Sequence, residues 1–302
     1  MEIALKSFFP AIDRSWKSMR STCDNPACHN TQLMRTIPGG RSGIQAGEFW
    51  YCSVDCFALG SRTVLTELSR TRFAEDQRDP RMSLGLILVS RGQLSPDQLR
   101  FAQSQAELNH DNLENMLLRL EFVNQKQLAA ARAAQWGYPL LTSDRIGHAV
   151  KSDIPEILLR EFSAAPLEFS IKARRILIGF VFRVEHSLLE SIEKITGFRA
   201  VPCFISATEY EEQMERVITA PNYESAFIQD FGSPDKMART LGHFAVEVGV
   251  REAIFSPCKN FVWSRLTGKR GKIDVVFQFE AAIRRELQPA PNVHDRSEAV
   301  LG

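Results

Sequence analysis

The sequence predicts a multi-domain α+β protein, and three of its features lead to this fold class. Two close pairs of cysteines lie near the amino terminus, a helical pattern then recurs at a fixed offset, and strand and helix patterns alternate after it. A chain of 302 residues is long enough for two or three compact domains. The predicted order is an amino-terminal segment (1–20), a four-Cys module (21–62), a linker (63–80), a central domain (81–218) made of a tandem helix-pair repeat bundle (81–140) and a small α/β lobe (141–218), a second linker (219–232), a helix plus β-hairpin module (233–286) and a disordered tail (287–302).

Charge and hydropathy limit the partners and the location of the protein. The 37 basic and 36 acidic residues nearly cancel, so no whole-protein field favours a nucleic acid or an anionic membrane, and any such binding has to be local. The amino-terminal apolar stretch contains Lys6 and Pro10, unlike a signal peptide, and no apolar run reaches the roughly 18 residues that cross a bilayer. We therefore expect a cytoplasmic protein with reduced thiols, in which clustered cysteines favour metal binding over disulfides.

The cysteine cluster has the spacing of a zinc-ribbon-like module. Cys23 and Cys28 form a C-x4-C pair, and Cys52 and Cys56 form a C-x3-C pair after a spacer of 23 residues. Zinc takes four soft ligands in a tetrahedron, and four protein ligands leave no open position for a reactive water. We therefore predict a structural Zn²⁺ bound by these four residues. Two alternatives stay open, namely His29 as a substitute ligand and four ordinary buried thiols.

The central domain begins with a duplicated helical unit at a constant offset of 29 residues. Each unit is predicted to be a short helix, a turn, a capping residue (Ser95 or Asn124) and a second helix. Pro96 follows Ser95 at the first helical position, where its missing N–H costs nothing. The apolar positions that recur, and that we expect to be buried between the helices, are Leu84 with Leu113, Leu88 with Leu117, Leu94 with Val123, Leu99 with Leu128, and Ala102 with Ala131.

Strand and helix patterns alternate in the rest of the chain. Helices are predicted over residues 155–164 and 187–196, strands over 166–171, 175–182 and 200–206, and a further helix after them. The carboxy-terminal module is predicted as a helix over 235–248 followed by strands that include 261–266 and 273–279.

Residues 80 to 218 resemble the amino-terminal domain of bacterial type II secretion and type IV pilus assembly ATPases. The resemblance lies in the offset of the two units, in the phrase Ala134-Gln135-Trp136-Gly137-Tyr138-Pro139, and in Ile195-Thr196-Gly197 followed by Val201-Pro202. It implies a helical bundle with a small sheet that contacts an inner-membrane assembly partner. The carboxy-terminal pattern of helix, Gly and three strands resembles the domain that precedes the nucleotide-binding core in the same ATPases.

Members of that family bind cyclic di-GMP through units that begin Arg-Leu-Gly and carry a second Gly. Here Ser83 and Asn112 stand at the two Arg positions, and Glu114 and Glu121 replace both glycines of the second unit. The first unit retains its two glycines, and an upstream arginine offers a partial substitute. The resemblance thus implies Arg81, Gly85 and Gly92 as ligand-binding candidates, and the alternative is a bundle that has kept only its structural leucines.

Motifs for catalysis are not evident in the sequence. No Walker A stretch occurs, and the turn Gly268-Lys269-Arg270-Gly271-Lys272 joins two strands instead of opening a helix. Lys269, Arg270 and Lys272 are candidates to contact an acidic protein patch or a phosphate, unless the turn is simply solvated. His186 beside Glu185 has no nucleophile near it in sequence.

From the sequence we expect a non-catalytic regulatory or adaptor protein with a structural zinc and a protein partner. Candidates for the partner are secretion, pilus or signalling components. Two alternatives remain: a nucleotide sensor of the cyclic di-GMP type that uses the helical repeat, and a zinc-dependent DNA-binding regulator.

Overall fold

The computed structural model describes residues 23–28, 43–70, 82–142, 151–219, 223–229 and 233–279. The chain divides into two compact units, of which the first combines residues 1–72 with 226–302 and the second covers 73–225. The predicted amino-terminal segment, the predicted tail, His29 and Arg81 lie outside the described residues. In the part of the chain that is described, no helix is long and apolar enough to cross a lipid bilayer.

The described residues form helices and strands that are numbered here in chain order. The helices are α1 Val54–Arg70, α2 Leu84–Ser90, α3 Pro96–Leu108, α4 Leu113–Arg119, α5 Gln125–Trp136, α6 Glu156–Glu161, α7 His186–Thr196, α8 Ala207–Arg216 and α9 Pro234–Val248. The strands are β1 Ile44–Ala46, β2 Phe49–Tyr51, β3 Lys151–Ser152, β4 Ala164–Ser170, β5 Arg175–Phe180, β6 Arg199–Phe204, β7 Ile218–Thr219, β8 Tyr223–Ile228, β9 Val250–Cys258, β10 Phe261–Gly268 and β11 Gly271–Gln278.

The first unit is built on one sheet with the strand order β2-β1-β9-β10-β11-β8. β1 runs parallel to β9, with Gln45 opposite Glu252 and Ala46 opposite Ala253. The four-Cys module and the carboxy-terminal module, predicted as separate, are joined through this pairing. Their helices α1 and α9 share one apolar core with the sheet. Its buried members include Phe57, Leu65, Leu241, Ala245, Val262, Leu266, Val275 and Phe277.

The predicted linkers both contain regular structure. Residues 63–70, assigned to the first linker, form the second half of α1, whose Leu65 is fully buried. Residues 223–228, assigned to the second linker, form β8 at the edge of the sheet. Polar composition suggested the first linker and Pro221-Asn222-Tyr223 the second, whereas burial of Leu65 and pairing of β8 with β11 decide the structure.

A buried ion pair lies in the middle of the carboxy-terminal hairpin. Arg265 and Asp274 face each other across β10 and β11, and Nε and Nη2 of Arg265 donate to the two carboxylate oxygens of Asp274 at 2.7 Å each. Asp274 is fully buried. Such a bidentate pair fixes the register of the hairpin because a shift by one residue would leave both charges unpaired.

The second unit contains the duplicated helices, and its core confirms the predicted repeat. Each recurring apolar pair has at least one member that is fully buried or nearly so, and all of them belong to one cluster, with Leu113 packed at its edge. Ser95 and Asn124 form capping boxes with Gln98 and Gln127, at the same offset of 29 residues. The bundle is therefore a true structural duplication.

The α/β lobe completes the second unit with a three-stranded sheet in the order β4-β5-β6. β4 is antiparallel to β5, and β5 is parallel to β6 through the crossover helix α7. That helix ends at Gly197, as predicted, where φ is 72° and a side chain would be strained. The Phe204 backbone bonds to Pro139 and Leu141, which connects β6 to the segment that leaves the bundle.

Candidate metal centre

Three segments of the first unit bring the four predicted cysteines together. Cys23 and Cys28 lie in the loop over 23–28, Cys52 directly follows β2, and Cys56 lies in the first turn of α1. The Sγ atoms of all four lie within 4.8 Å of one another. The sequence prediction that these residues converge is confirmed, although the long helix that contains Cys56 was not predicted.

The sulfur positions fit a tetrahedral metal ion. Sγ of Cys52 lies 3.7 Å from Sγ of Cys28 and 3.6 Å from Sγ of Cys56. A tetrahedron with metal–sulfur bonds of about 2.3 Å, as for zinc, has sulfur–sulfur edges of about 3.8 Å. The same separations are far too long for a disulfide, and all six cysteines of the chain are free thiols. The donor set and its spacing therefore fit a metal ion held by four thiolates.

Hydrogen bonds around the cysteines hold the loop in this shape. The amide of Trp50 donates to the carboxylate of Asp24 at 2.6 Å, and the amide of Asp24 donates back to the carbonyl of Trp50. Asn25 is buried, and its side chain accepts from the amide of Ala27 in an Asx turn. These contacts attach the first cysteine pair to the strand that carries the second.

The second pair is positioned by the start of α1. The hydroxyl of Ser53 accepts from the amide of Cys56 at 3.2 Å, which is the geometry of a helix cap. The amide of Cys52 in turn donates to Sγ of Cys23 at 3.5 Å. Asp24, Asn25 and Ser53 were not predicted from the sequence. The position of Ser53, three residues before Cys56, is the pattern that could have indicated the helix cap.

The thiols differ in how easily they ionise. Burial raises the pKa of Cys52 to about 12, and its hydrogen bonds with Cys56 and Cys28 add to the effect. Burial also disfavours the thiolate of Cys56, but hydrogen bonds from Asn25, Ser53 and the neighbouring thiols outweigh it and lower the pKa of Cys56 to about 7. One cysteine of the set is thus ready to ionise near neutral pH, which helps a first metal–sulfur bond to form.

The cysteine cluster is continuous with the apolar core of the first unit. Cys23 and Cys56 pack against that core. Tyr51, next to Cys52, contacts Phe57 edge to face at 6.0 Å, and Phe57 stacks on Phe255 of β9 at 6.3 Å. A metal ion bound here would therefore stabilise the hairpin and helix that flank it, and through them the sheet.

The predicted nucleotide-binding positions occupy the first repeat, and their structure favours a packing role. A Cβ atom on Gly85 would lie 2.6 Å from a methyl group of Leu99, so a side chain here would displace Leu99 where α2 packs against α3. Gly92 has φ of 66° in the turn between these helices. Both residues have structural reasons to be glycine, and their assignment to a ligand remains a prediction.

The second repeat places carboxylates at the matching positions. Glu114 forms an ion pair with Arg132, whose side chain is almost fully buried and also donates to the carbonyl of Val181 at 2.9 Å. Glu121 lines an open groove beside the start of α5. A negatively charged ligand would meet the charge of Glu121 there, which agrees with the doubt that the sequence raised.

The basic turn between β10 and β11 caps a helix. Arg270 donates through Nη2 to the carbonyl of Val246 at 2.7 Å, in the last turn of α9. The amides of Lys269 and Arg270 donate to the carbonyls of Gly249 and Val248. Part of the positive charge thus serves the helix terminus. Contact of Lys269, Arg270 and Lys272 with an anion or a partner remains a prediction.

His186 begins α7, and its neighbours form local contacts at the helix start. Ser187 donates to the carboxylate of Glu185 at 3.0 Å, and Arg183 pairs with the same carboxylate at 3.2 Å. The carboxylate of Glu185 therefore has a structural role at the start of α7.

The comparisons with known proteins concern about half of the chain. No family model and no curated protein matches the sequence. Among solved structures, MshE with cdg is 20% identical, covering 46% of this chain and 100% of that chain with a TM-score of 0.38. The N-terminal domain of XpsE matches in two crystal forms, one at 18% identity over 47% of this chain and 98% of that chain with a TM-score of 0.36, the other at 21% over 49% and 99% with 0.29. At these values the likeness is one of fold alone. About half of this chain is similar in fold to the N-terminal domain of XpsE and to MshE.

Proposed function

We propose that this chain is a non-catalytic regulatory or adaptor protein, in which zinc stabilises the first unit and the second unit binds a protein partner. The observation that carries the zinc part is the convergence of four thiols at tetrahedral spacing. All four ligand positions would be filled by protein, so the ion would have a structural role.

The partner-binding part rests on the sequence resemblance of residues 80 to 218, since that domain contacts an inner-membrane assembly partner in the complete ATPases. The chain keeps this scaffold and has no Walker A stretch. The six histidines are scattered, and no nucleophile, base and orienting acid can be assembled from them in sequence. Binding is therefore a better proposal than catalysis.

Metal analysis of the purified full chain tests the zinc part. We expect one Zn²⁺ per chain, lost in the variant Cys52→Ser and kept in Cys203→Ser, whose cysteine is buried in the second unit. An equal metal content in both variants, or a metal-free wild-type protein, would contradict the assignment.

A direct binding assay tests the partner part. The full chain is mixed with each purified inner-membrane component of a secretion or pilus system from the same cells, and binding is measured by light scattering or calorimetry. We expect one of these components to bind with micromolar affinity or better. Failure of all of them would remove this proposal and leave the zinc assignment intact.

A second candidate is a sensor for a cyclic dinucleotide, favoured by the two glycines that the first repeat retains. Calorimetry with cyclic di-GMP addresses it directly. Heat that saturates at one ligand per chain, and that disappears in Gly92→Glu, would support the sensor. Absence of heat at high ligand concentration would eliminate it.

A further inference from the structure

The turn between β4 and β5 carries an exposed group of apolar and basic side chains, which we call the hairpin-tip patch. It comprises the turn residues 171–174, Arg175 at the start of β5, Phe169 of β4, and Phe198 and Arg199 where β6 begins. Residues 171–175 are all exposed, and Ile171, the first residue of the turn, is 73% exposed. An exposed group of apolar side chains rimmed by polar ones marks an interaction surface, which a single exposed apolar side chain does not.

Two further apolar side chains lie next to the turn. The rings of Phe169 and Phe198 are in contact, with centroids 4.4 Å apart, and Phe169 is still 38% exposed. Arg174 holds this arrangement in place, since it donates to the carbonyl of Gly197 at 3.1 Å and lies 5.9 Å from the ring of Phe198. The patch is therefore built in advance, and binding would not have to order it.

The hairpin-tip patch and the residues that flank it carry a net positive charge. Residues 168–175 and 193–199 contain five cations and two carboxylates, a net charge of +3. One carboxylate, Glu168, lies 3.6 Å from Arg175, and the other, Glu193, accepts from the amide of Ala200 at 2.9 Å. Within the described residues, Lys172 and Arg199 form no ion pair. This contrasts with the whole chain, in which the two signs nearly cancel.

We propose that the hairpin-tip patch binds the surface of an anionic phospholipid bilayer. Cations that surround a protruding apolar side chain match the layered chemistry of such a surface, where lipid phosphates lie above the acyl chains. A turn apex is convex, and a flat bilayer can cover it from every side, whereas a protein partner would need a matching concavity. The few charges and the single strongly exposed isoleucine make the contact weak and reversible, so that it assists a second attachment.

Vesicle flotation of the full chain tests the proposal. We expect the wild-type protein to float with vesicles of equal parts phosphatidylglycerol and phosphatidylcholine, and not with phosphatidylcholine alone. Added salt should release the protein because it screens the attraction between exposed charges and the lipid surface. Arg199→Gln should lower the partition coefficient about fivefold, the effect of one cation near an anionic surface. Ile171→Ser should lower it severalfold as well, since the exposed apolar side chain is lost.

Two variants of α3 serve as matched controls. Leu108→Ser removes an apolar side chain that is 74% exposed, and Arg100→Gln removes an exposed cation. Neither should change flotation, and circular dichroism should show that all four variants remain folded. The proposal is overturned if wild-type protein does not float, if it floats equally with neutral vesicles, or if the control variants lose as much binding as the tip variants. Binding to soluble polyglutamate without binding to vesicles would also overturn it, and would indicate an acidic protein segment instead.

Discussion

Glu121 shows at the scale of one residue how the two repeats have diverged. It occupies the turn between α4 and α5 with φ of 55°, at the position where the first repeat has Gly92 with φ of 66°. The backbone of the turn has thus been conserved between the repeats although the residue has changed. A side chain in this left-handed region costs about 1–2 kcal/mol, part of which a glycine would lose again as entropy on folding.

We expect Glu121→Gly to raise the free energy of unfolding by about 0.5–1 kcal/mol, because relief of backbone strain exceeds the entropic loss. Urea denaturation measures the change. Glu121→Gln is the control, since it removes the charge and keeps the strain, and it should leave stability nearly unchanged. A gain in the Gln variant equal to that in the Gly variant would show that charge, not backbone conformation, limits stability here.

Glu114 presents the opposite case, because the glutamate at this glycine position has gained an ion-pair partner. Its carboxylate pairs with the buried Arg132, and the guanidinium lies 4.9 Å from the ring of Phe182. We expect Glu114→Gln to lower the free energy of unfolding by about 1.5–3 kcal/mol, the range for a hydrogen bond to a charged group. Glu107→Gln, an exposed change on α3, should have almost no effect. Equal effects of the two substitutions would mean that the pair contributes nothing specific.

At the scale of elements, the sequence predicted what depends on near neighbours. The helices of the repeat followed from apolar spacing and from the caps Ser95 and Asn124, and α7 ended at Gly197 as expected. The length of α1 was missed because its amphipathic pattern followed directly on the second cysteine pair, where a short metal module was expected. The convergence of the four cysteines was predictable because two close pairs of cysteines are typical of metal sites. The supporting residues Asp24 and Asn25 were not predictable, because their bonds depend on folded geometry.

The capping of α9 by Arg270 leads to a test at the same scale. We expect Arg270→Gln to lower the free energy of unfolding by about 0.5–1 kcal/mol, since a cation and a donor at the helix carboxyl end are both lost. Lys269→Gln, the neighbouring change, should cost little. If instead both substitutions leave stability unchanged and weaken binding to a partner or to phosphate, the turn acts as a contact surface and not as a cap.

At the scale of the molecule, the two units should respond differently to metal removal. A ligand present at about 1,000 times its Kd stabilises the state that binds it by about 4 kcal/mol. We therefore expect a strong chelator to lower the stability of the first unit by about that amount. Hydrogen exchange should accelerate in residues 43–70 and 233–279, and remain unchanged in 82–142.

The matched variant for this experiment is Cys52→Ser, in which exchange of the first unit should already be fast and insensitive to chelator. Cys203→Ser should behave like the wild-type protein toward chelator. Equal loss of protection in both units of the wild-type protein would show that the metal stabilises more than the sheet beside it.

The parallel pairing of β1 with β9 was beyond prediction from sequence. It joins Gln45 to Glu252, more than two hundred positions apart along the chain, and no local pattern records so distant a neighbour. Both halves of the first unit were therefore predicted as separate modules, although the apolar patterns of each were visible.

This pairing also determines the order in which the two units can fold during synthesis. During synthesis, the strand that carries Ala46 leaves the ribosome long before the strand that it joins, and the whole of the second unit emerges between them. The duplicated bundle, whose contacts are local, can fold as soon as it is exposed, while the cysteine-bearing hairpin must wait for the carboxy-terminal strands. Newly made chains thus pass through an interval in which the thiols are present but their supporting sheet is not, so the supply of metal matters most at the end of translation.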